Sequence, residues 1–254
     1  MNGVQVMRGQ LLSLTLLIDG YLSQTFQSRA AEQYFLNLLK RTSIPSDATL
    51  SYTMEGYFCV HSVPPHIPTR FPNLPDRWLL DRGIVNSGTV VPQTMWSPRT
   101  AADKRQHVEE AELQMPIFFE AKDGRLGLSL GASIGGKCHG LRDAGVPAPL
   151  GQKTTTHIRI VWLGYKMYKR QIPTRDESRA HNPITMARFV RLVGRTVDAF
   201  FRVCELDSGC TDDRRKLWRI GPGGIQRNDI IIVGAVHVSA GTWVPIMQLN
   251  RYIF

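Results

Sequence analysis

The stretch NPITMARFVRLVGRTVDAFFR, residues 182–202, constrains the fold of this 254-residue chain more than any other segment. Its apolar side chains recur every three or four residues, a spacing that places them on one face of an α-helix. These apolar residues, with the next one along the chain, are Phe189, Val193, Val197, Phe200 and Cys204. We predict a long helix near residues 184–204, with Asn182 as its cap and Pro183 in its first turn, or with Thr185 as the alternative start.

Strand patterns elsewhere supply a surface for this helix to cover. Residues 156–165 alternate in the way of a half-buried strand. Residues 115–130 contain two apolar runs around Lys122-Asp123-Gly124, which predicts a hairpin because glycine adopts the positive φ of a tight turn. Residues 229–249 read as two strands around Ser239-Ala240-Gly241. We therefore predict an α+β fold in which largely antiparallel strands pack with a few helices.

The N-terminal part has a different character. Residues 26–41 have the spacing of an amphipathic helix, and the aromatic and branched residues of 51–63 predict a strand. The following segment is too rich in proline for long regular elements; its prolines are Pro64, Pro65, Pro68, Pro72, Pro75, Pro92 and Pro98.

The domain organisation follows from this contrast. We predict a single domain over residues 1–254, since this length suits one large domain. The alternative is a subdivision into a proline-rich part, 1–103, and a basic α+β core, 115–254.

Charge is distributed unevenly along the chain. Residues 1–150 carry 14 Lys and Arg against 13 Asp and Glu, whereas residues 151–254 carry 17 against 8, so nearly all of the net +10 lies in the second part. Clustered cations attract phosphate and release its counterions, so this asymmetry favours a polyanionic partner, either nucleic acid or an acidic protein. The candidate polyanion-binding residues are Lys166, Lys169, Arg170, Arg188, Arg191, Arg195 and Arg202.

Two features of this basic region support different interpretations. Tyr165 and Tyr168 interleave with the cations, as aromatic residues do on surfaces that contact nucleic acid. The arginines of the helix also form a stripe beside the apolar face, and Asp176, Glu177 and Asp198 are available to neutralise part of it. A solvated helix face is therefore the alternative interpretation.

The segment GASIGGKC, residues 131–138, matches the G-x-x-x-x-G-K form of a phosphate-binding loop. Gly131, Gly136 and Lys137 would contact the phosphates if the match were functional. The position that normally ligates magnesium is Cys138, a soft ligand unsuited to a hard cation. A glycine-rich connection is the alternative interpretation of this segment.

Metal, redox and targeting signals are weak. Four cysteines are too few for a disulfide scaffold, and no histidine spacing matches a metal motif, so we predict neither a metal site nor a cofactor. Pairing of Cys204 with Cys210 stays open. The apolar run 11–18 is either a signal-peptide core or a buried element, and the poor cleavage site after it favours an intracellular protein, cytoplasmic or nuclear, over a secreted one. No apolar run reaches membrane-spanning length.

Three short motifs carry a resemblance. They are Trp162 to Tyr165 (W-x-G-Y), Pro183 to Thr185 (PIT, leading a helix) and His237 to Trp243 (H-V-S-x-G-x-W). With them, residues 115–254 resemble an uncharacterised group of predicted proteins from mushroom-forming fungi. The resemblance implies an intracellular fungal protein, and no activity, cofactor or catalytic residue comes with it.

The sequence thus favours a non-enzymatic protein that binds a polyanion or an acidic protein through its basic C-terminal region. A phosphate- or nucleotide-handling enzyme that uses residues 131–138 is one alternative. A structural or self-assembling protein is the other.

Overall fold

The computed structural model describes residues 19–41, 49–52, 56–61, 77–96, 98, 100–135, 138–206 and 216–253. These residues form two compact units. Unit 1 comprises the described residues up to 85 with 95–116 and 238–240, and unit 2 comprises 86–94, 117–237 and 241 onward. Both contain helices and mostly antiparallel strands, so the predicted α+β class is confirmed. The single-domain assignment stays a prediction, and residues 11–18 lie outside the described residues.

Unit 1 is built from short helices and a small antiparallel sheet. The helices are α1 (Tyr21–Phe26), α2 (Ser28–Arg41) and α3 (Ala101–Lys104), which continues as a π-helical turn over Arg105–Glu109. The strands are β1 (Thr49–Tyr52), β2 (Tyr57–His61) and β3 (Arg77–Arg82), in the order β1-β2-β3. The amphipathic helix predicted over 26–41 is confirmed as α2, whose inner face buries Phe35, Leu38 and Leu39.

The strand predicted over 51–63 is wrong as a single element. The structure has two strands there, because β1 ends at Tyr52 and pairs antiparallel with β2, which begins at Tyr57. Gly56 precedes β2 with a φ of 80°, a value that side chains rarely tolerate and that breaks an extended run. Composition alone cannot reveal this break, since both strands share the same aromatic and branched residues.

A buried carboxylate fixes the start of α1. Asp81, on β3, accepts hydrogen bonds from the backbone N–H groups of Leu22 and Arg82, at 3.1 and 2.8 Å. Burial raises the pKa of Asp81 to about 7, although these N–H donors lower it. A Cβ at Gly20 would lie 2.1 Å from Oδ2 of Asp81, so only glycine fits at the helix start.

Unit 2 is organised on a six-stranded sheet. Its strands are β4 (Ile117–Phe118), β5 (Leu128–Ser129), β6 (Thr155–Ile160), β7 (Tyr168–Pro173), β8 (Ile230–Ser239) and β9 (Thr242–Leu249). The order is β4-β8-β9-β6-β7, and β5 also pairs with β8. The pairing of β6 with β9 is parallel, whereas β4, β5 and β7 pair antiparallel with their neighbours. The strand pair predicted over 229–249 is thereby confirmed, and the strand predicted over 156–165 is present but shorter, since β6 ends at Ile160.

The hairpin predicted around Lys122-Asp123-Gly124 is also present. Glu120 and Leu126 face each other as an antiparallel bridge, and the N–H of Ala121 donates to the carbonyl of Arg125. Gly124 has a φ of 85° in the turn. The sequence was sufficient to predict this hairpin because the turn depends on only a few neighbouring residues.

Helix α5 (Met186–Leu206) covers one face of this sheet. The predicted apolar face is confirmed, since Phe189, Val193, Val197, Phe200 and Cys204 are all buried. Their partners include Ile158 and Ile160 of β6 and Trp243 of β9. Each fully buried apolar side chain of this size contributes about 1.5–3 kcal/mol. This face therefore anchors α5 firmly and fixes where its arginines project.

The start of α5 is at Thr185 rather than at Asn182. Thr185 Oγ1 accepts a hydrogen bond from the N–H of Arg188, which is the geometry of a helix cap. The N–H of Ile184 donates to the carbonyl of Thr174. The residue before Thr185 is therefore extended, so Pro183 lies outside the first helical turn. The alternative start is the correct one.

Candidate polyanion-binding surface

Two of the predicted cationic residues meet where strand β7 lies beside helix α5. The guanidinium of Arg170, on β7, donates a long hydrogen bond of 3.5 Å to the backbone carbonyl of Arg195, on α5. Both side chains are exposed. Strand β7 is the last strand on its side of the sheet, so Arg170 lies on an open edge. The sheet thereby brings the guanidinium of Arg170 to the backbone of Arg195, a residue 25 positions away in sequence.

Arg191 extends this pair along the helix. It lies one helical turn before Arg195, so the two side chains project from the same face of α5. Arg191 also lies near Cys138: burial raises the pKa of the Cys138 thiol, and the positive charge of Arg191 opposes that rise. We call Arg170, Arg191 and Arg195 the arginine surface. Among the described residues, none of the three has a carboxylate within ion-pair distance.

Two other arginines of the predicted stripe are paired. Arg188 contacts Glu177 at 3.2 Å, and Arg202 contacts Asp198 at 2.8 Å. Arg227 forms ion pairs with Asp198 and Glu205. An exposed pair such as Arg188 with Glu177 contributes about 0–1 kcal/mol and holds its charges locally. The neutralisation predicted from Asp198 and Glu177 therefore applies to the two ends of the stripe and not to its centre.

Lys169 lies on the other side of the sheet. Tyr168 and Arg170 flank it on β7, and the Tyr168 ring packs against Phe200 of α5, so alternation turns Lys169 to the opposite face. Lys169 stands opposite Arg159 in the strand register. The pKa of His157 is lowered, mainly by burial and to a smaller extent by the charge of Lys169. Lys166, in the turn before β7, is exposed. The seven predicted cations thus do not form one patch.

The tyrosines that interleave with the cations are directed into the core. The rings of Tyr165 and Tyr168 both pack against Phe200, with centroids 6.3 and 6.0 Å away. The Tyr165 hydroxyl accepts a hydrogen bond of 2.9 Å from the N–H of Ile220. The interleaving predicted an aromatic contact surface, whereas these rings fill the space between sheet and helix. Among the described residues, these two tyrosines therefore provide no stacking platform for the arginine surface.

The segment 131–138 is only partly described. Gly131 lies exposed in α4 (Leu130–Ile134), and Cys138 is buried at the start of the short helix Cys138–Gly140. Ser129 Oγ accepts from the N–H of Ala132 and so occupies one of the amides at the start of α4. Gly136 and Lys137 lie outside the described residues. The phosphate-binding role of this segment stays a prediction.

A close approach of two helices positions α4 against α5. A Cβ at Gly194 of α5 would lie 2.2 Å from the hydroxyl oxygen of Ser133 in α4. Ser133 is fully buried, and its hydroxyl donates to the carbonyl of Leu130 at 2.7 Å. Gly194 lies between Arg191 and Arg195 in sequence, so this contact fixes the part of α5 that carries both arginines.

The motif residues around His237 form the turn between β8 and β9. The N–H of Gly241 donates to Nε2 of His237 at 3.3 Å, and the imidazole stacks on the Trp243 ring with centroids 4.8 Å apart. Burial, and to a smaller extent the charge of Lys153, lowers the pKa of His237 to about 4. A neutral, packed imidazole that accepts from the backbone serves to close the β8–β9 connection.

The other two motifs have local structural roles as well. In the W-x-G-Y motif, Trp162 Nε1 donates to the carbonyl of Trp218 at 2.8 Å, while Tyr165 holds Ile220. In the PIT motif, Thr185 caps α5 and Ile184 is buried. These residues hold the segment 218–220 and the helix start in place.

Metal chemistry has no support in the part of the chain that the structure describes. No group of three His, Cys, Asp or Glu side chains there is arranged to hold a metal ion. Cys204 is buried on the inner face of α5, and Cys210 lies outside the described residues, so their pairing stays open. No described helix combines the length and apolar character needed to cross a membrane.

Comparison with known proteins returned no relative: no protein-family model, no curated protein and no solved structure matches this chain.

Proposed function

We propose that this protein is a non-enzymatic binding protein that engages a polyanion, nucleic acid in the first instance, through Arg170, Arg191 and Arg195. The observation that carries the proposal is the meeting of Arg170 with Arg195 across the edge of the sheet, 3.5 Å from guanidinium to carbonyl, with Arg191 one turn away. Phosphates spaced along a nucleic-acid backbone can bind several such cations at once.

The energetics of the helix support this proposal. Like charges four residues apart on a helix destabilise it by about 0.2–0.5 kcal/mol, and Arg191 and Arg195 have this spacing. Arg188 and Arg202 are paired with carboxylates that offset such repulsion, whereas no carboxylate among the described residues lies within ion-pair distance of the arginine surface. An anionic ligand would remove the repulsion on binding. The centre of the stripe therefore differs from an ordinary solvated helix face.

The mode of binding follows from the absence of a stacking platform on this surface. Because Tyr165 and Tyr168 pack into the core, contacts would be to phosphate and not to bases. We expect weak sequence preference and strong dependence on salt. For duplex DNA, the logarithm of the binding constant falls against the logarithm of salt concentration by about 0.9 for each phosphate contacted.

The test compares two triple variants with the same change in net charge. One carries Arg170→Gln, Arg191→Gln and Arg195→Gln. The control carries substitutions to Gln at Arg29, Arg105 and Lys122, which are exposed cations outside the arginine surface. Binding to duplex DNA, single-stranded RNA and poly-glutamate is measured at two or more salt concentrations.

We expect the first variant to bind DNA at least about tenfold more weakly, with a salt slope smaller by about 2.7, and the control to stay near the unsubstituted protein. Equal losses in both variants would show that only net charge matters. Binding to poly-glutamate without binding to nucleic acid would transfer the proposal to an acidic protein partner. Absence of binding to all three probes would reject the proposal.

A further inference from the structure

Unit 1 contains a cavity of about 190 Å³ that plays no part in the arginine surface. It lies between helix α2, the residues just before α3 and the segment that follows α3. Its apolar lining comes from Ala30, Tyr34, Met95, Trp96, Pro98, Val108, Leu113 and Val238. All of these residues belong to unit 1.

The lining is suited to a flat apolar group. Trp96 contributes a ring that is held edge-on to the imidazole of His107, with centroids 5.6 Å apart. Leu113 and Val238 are buried, whereas Trp96 and Val108 are half-buried, so the cavity has a wall inside the unit and an opening to solvent. Apolar cavities with a few polar groups at the opening are typical of small-molecule sites.

The polar side chains that line the cavity are Gln33, Asn37 and Lys104. Gln33 Nε2 donates to Asn37 Oδ1 at 3.2 Å, which leaves the other amide atoms of both side chains without a partner among the described residues. Lys104 also lines the cavity, and its ammonium contacts Glu109 at 3.0 Å. A ligand would therefore meet hydrogen-bonding amides and a neutralised ion pair, which favours a neutral molecule over an anion.

Tyr34 contributes its ring to the wall of the cavity. The residue has 5% of its surface exposed, and its hydroxyl oxygen is buried, with less than 1 Å² of its own surface exposed. The ring and not the hydroxyl therefore lines the cavity. The hydrogen-bonding groups that a ligand would meet are the amides of Gln33 and Asn37.

We propose that this cavity binds a neutral ligand that consists of a single aromatic ring and a hydroxyl group. The volume sets the size: an apolar protein cavity of roughly 150 Å³ holds benzene, whereas drug-sized ligands need about 300 Å³ or more. A cavity of about 190 Å³ thus accommodates one ring with one or two small substituents. The apolar wall selects the ring, and the amides of Gln33 and Asn37 select its polar group.

The test uses p-cresol as the probe and the full chain as the protein. Titration followed by calorimetry, and by the tryptophan fluorescence to which Trp96 contributes, measures the dissociation constant. We expect saturable binding to one site with a constant on the order of 0.1–5 mM, which is the range for so few atoms. 4-Hydroxybenzoate, the anionic analogue, should bind more weakly.

Two substitutions of the same kind separate occupation of the cavity from a change in stability. Ala30→Leu places a larger side chain at the lining and should weaken p-cresol binding about tenfold or more. Ala102→Leu adds the same atoms at an exposed position of α3 outside the lining and should leave the constant within about twofold. If the melting temperature shows that Ala30→Leu does not fold, Val108→Phe takes its place.

Three results would overturn the proposal. They are the absence of saturable p-cresol binding, equal binding by the Ala30→Leu and Ala102→Leu variants, and tighter binding of 4-hydroxybenzoate than of p-cresol. Because the arginine surface lies in the other unit, the Arg170, Arg191 and Arg195 triple variant should bind p-cresol with unchanged affinity. Failure of one proposal therefore leaves the other standing.

Discussion

The imidazole of His237 lies flat on the indole of Trp243, with ring centroids 4.8 Å apart and an angle of 11° between the planes. The two residues face each other across the β8–β9 turn, in which Gly241 has a φ of 88° and donates its N–H to Nε2 of His237. A protonated imidazole could not accept that hydrogen bond. The protonation state of His237 is therefore coupled to the integrity of the turn.

His237 should make the folded state less stable in acid. Its pKa is about 4 in the folded state and 6.5 in the reference state, because burial disfavours the charged form. Between these values the unfolded chain binds more protons, so the stabilisation is present above pH 6.5 and is lost as the pH falls through about 4. The loss at low pH amounts to about 3 kcal/mol. Chemical denaturation at a series of pH values measures it.

Variants isolate this contribution. His237→Gln keeps an acceptor for Gly241 without titrating, so its free energy of unfolding should fall less between pH 6.5 and 4. The comparison must be between variants, because the raised pKa of Asp81, about 7, acts in the opposite direction: its contribution is present below pH 3.8 and is lost as the pH rises through 7. An unchanged slope in His237→Gln would contradict the prediction.

The cap of α5 provides a second prediction. Thr185→Ala removes the acceptor for the N–H of Arg188 and should lower the free energy of unfolding by about 1 kcal/mol. Asn182→Ala is the matched control, since the Asn182 side chain contacts the exposed hydroxyl of Ser178 at 3.4 Å and the carboxylate of Asp176. We expect a change within about 0.5 kcal/mol there. Equal effects at both positions would show that the cap assignment is wrong.

The start and the buried face of α5 differ in how well the sequence predicts them. The period of three and four residues identified the buried face from Phe189 to Cys204, because burial on a helix depends on local spacing alone. The cap depends on a tertiary hydrogen bond between Ile184 and Thr174, which holds the residue before Thr185 extended. The spacing of residues in the sequence does not show that hydrogen bond. Asn182 and Thr185 were therefore both compatible with the sequence as the cap.

The candidate site divides in the same way. Charge counting found the arginines, and helical spacing placed Arg191 beside Arg195. The meeting of Arg170 with Arg195, and the placement of Lys169 on the opposite face, depend on where strand β7 begins relative to the sheet. A shift of one residue would exchange the two faces of β7. The packing of the Tyr168 ring against Phe200 shows which face of β7 is directed inward. The alternation of residues in the sequence does not show this by itself.

The close approach of α4 and α5 was also invisible in the sequence, and it gives a third prediction. Alanine favours a helix over glycine by about 1 kcal/mol, but a methyl group at Gly194 would overlap the buried Ser133 hydroxyl at 2.2 Å. Overpacking costs about 1–3 kcal/mol, so Gly194→Ala should destabilise the protein on balance. Thermal and chemical unfolding measure the change.

The same substitution at a second helical glycine is the control. A Cβ at Gly131 of α4 would have nothing within 4 Å. Gly131→Ala should therefore be neutral or raise stability by up to about 1 kcal/mol. If Gly194→Ala stabilised the protein as much as Gly131→Ala, the close packing of the two helices would be refuted.

The arginine surface gives the last prediction, in which stability and binding change in opposite directions. Arg191→Gln removes a like charge four residues from Arg195 and should raise the free energy of unfolding by about 0.2–0.5 kcal/mol. The same substitution should weaken DNA binding and lower the salt slope by about 0.9, the value for one lost phosphate contact.

Arg188→Gln is the matched comparison, because Arg188 is already paired with Glu177 at 3.2 Å. Its loss should leave stability equal or slightly lower and change the salt slope less. If Arg191→Gln reduced stability and left binding intact, Arg191 would be a structural residue of α5, and the arginine surface would lose its central member.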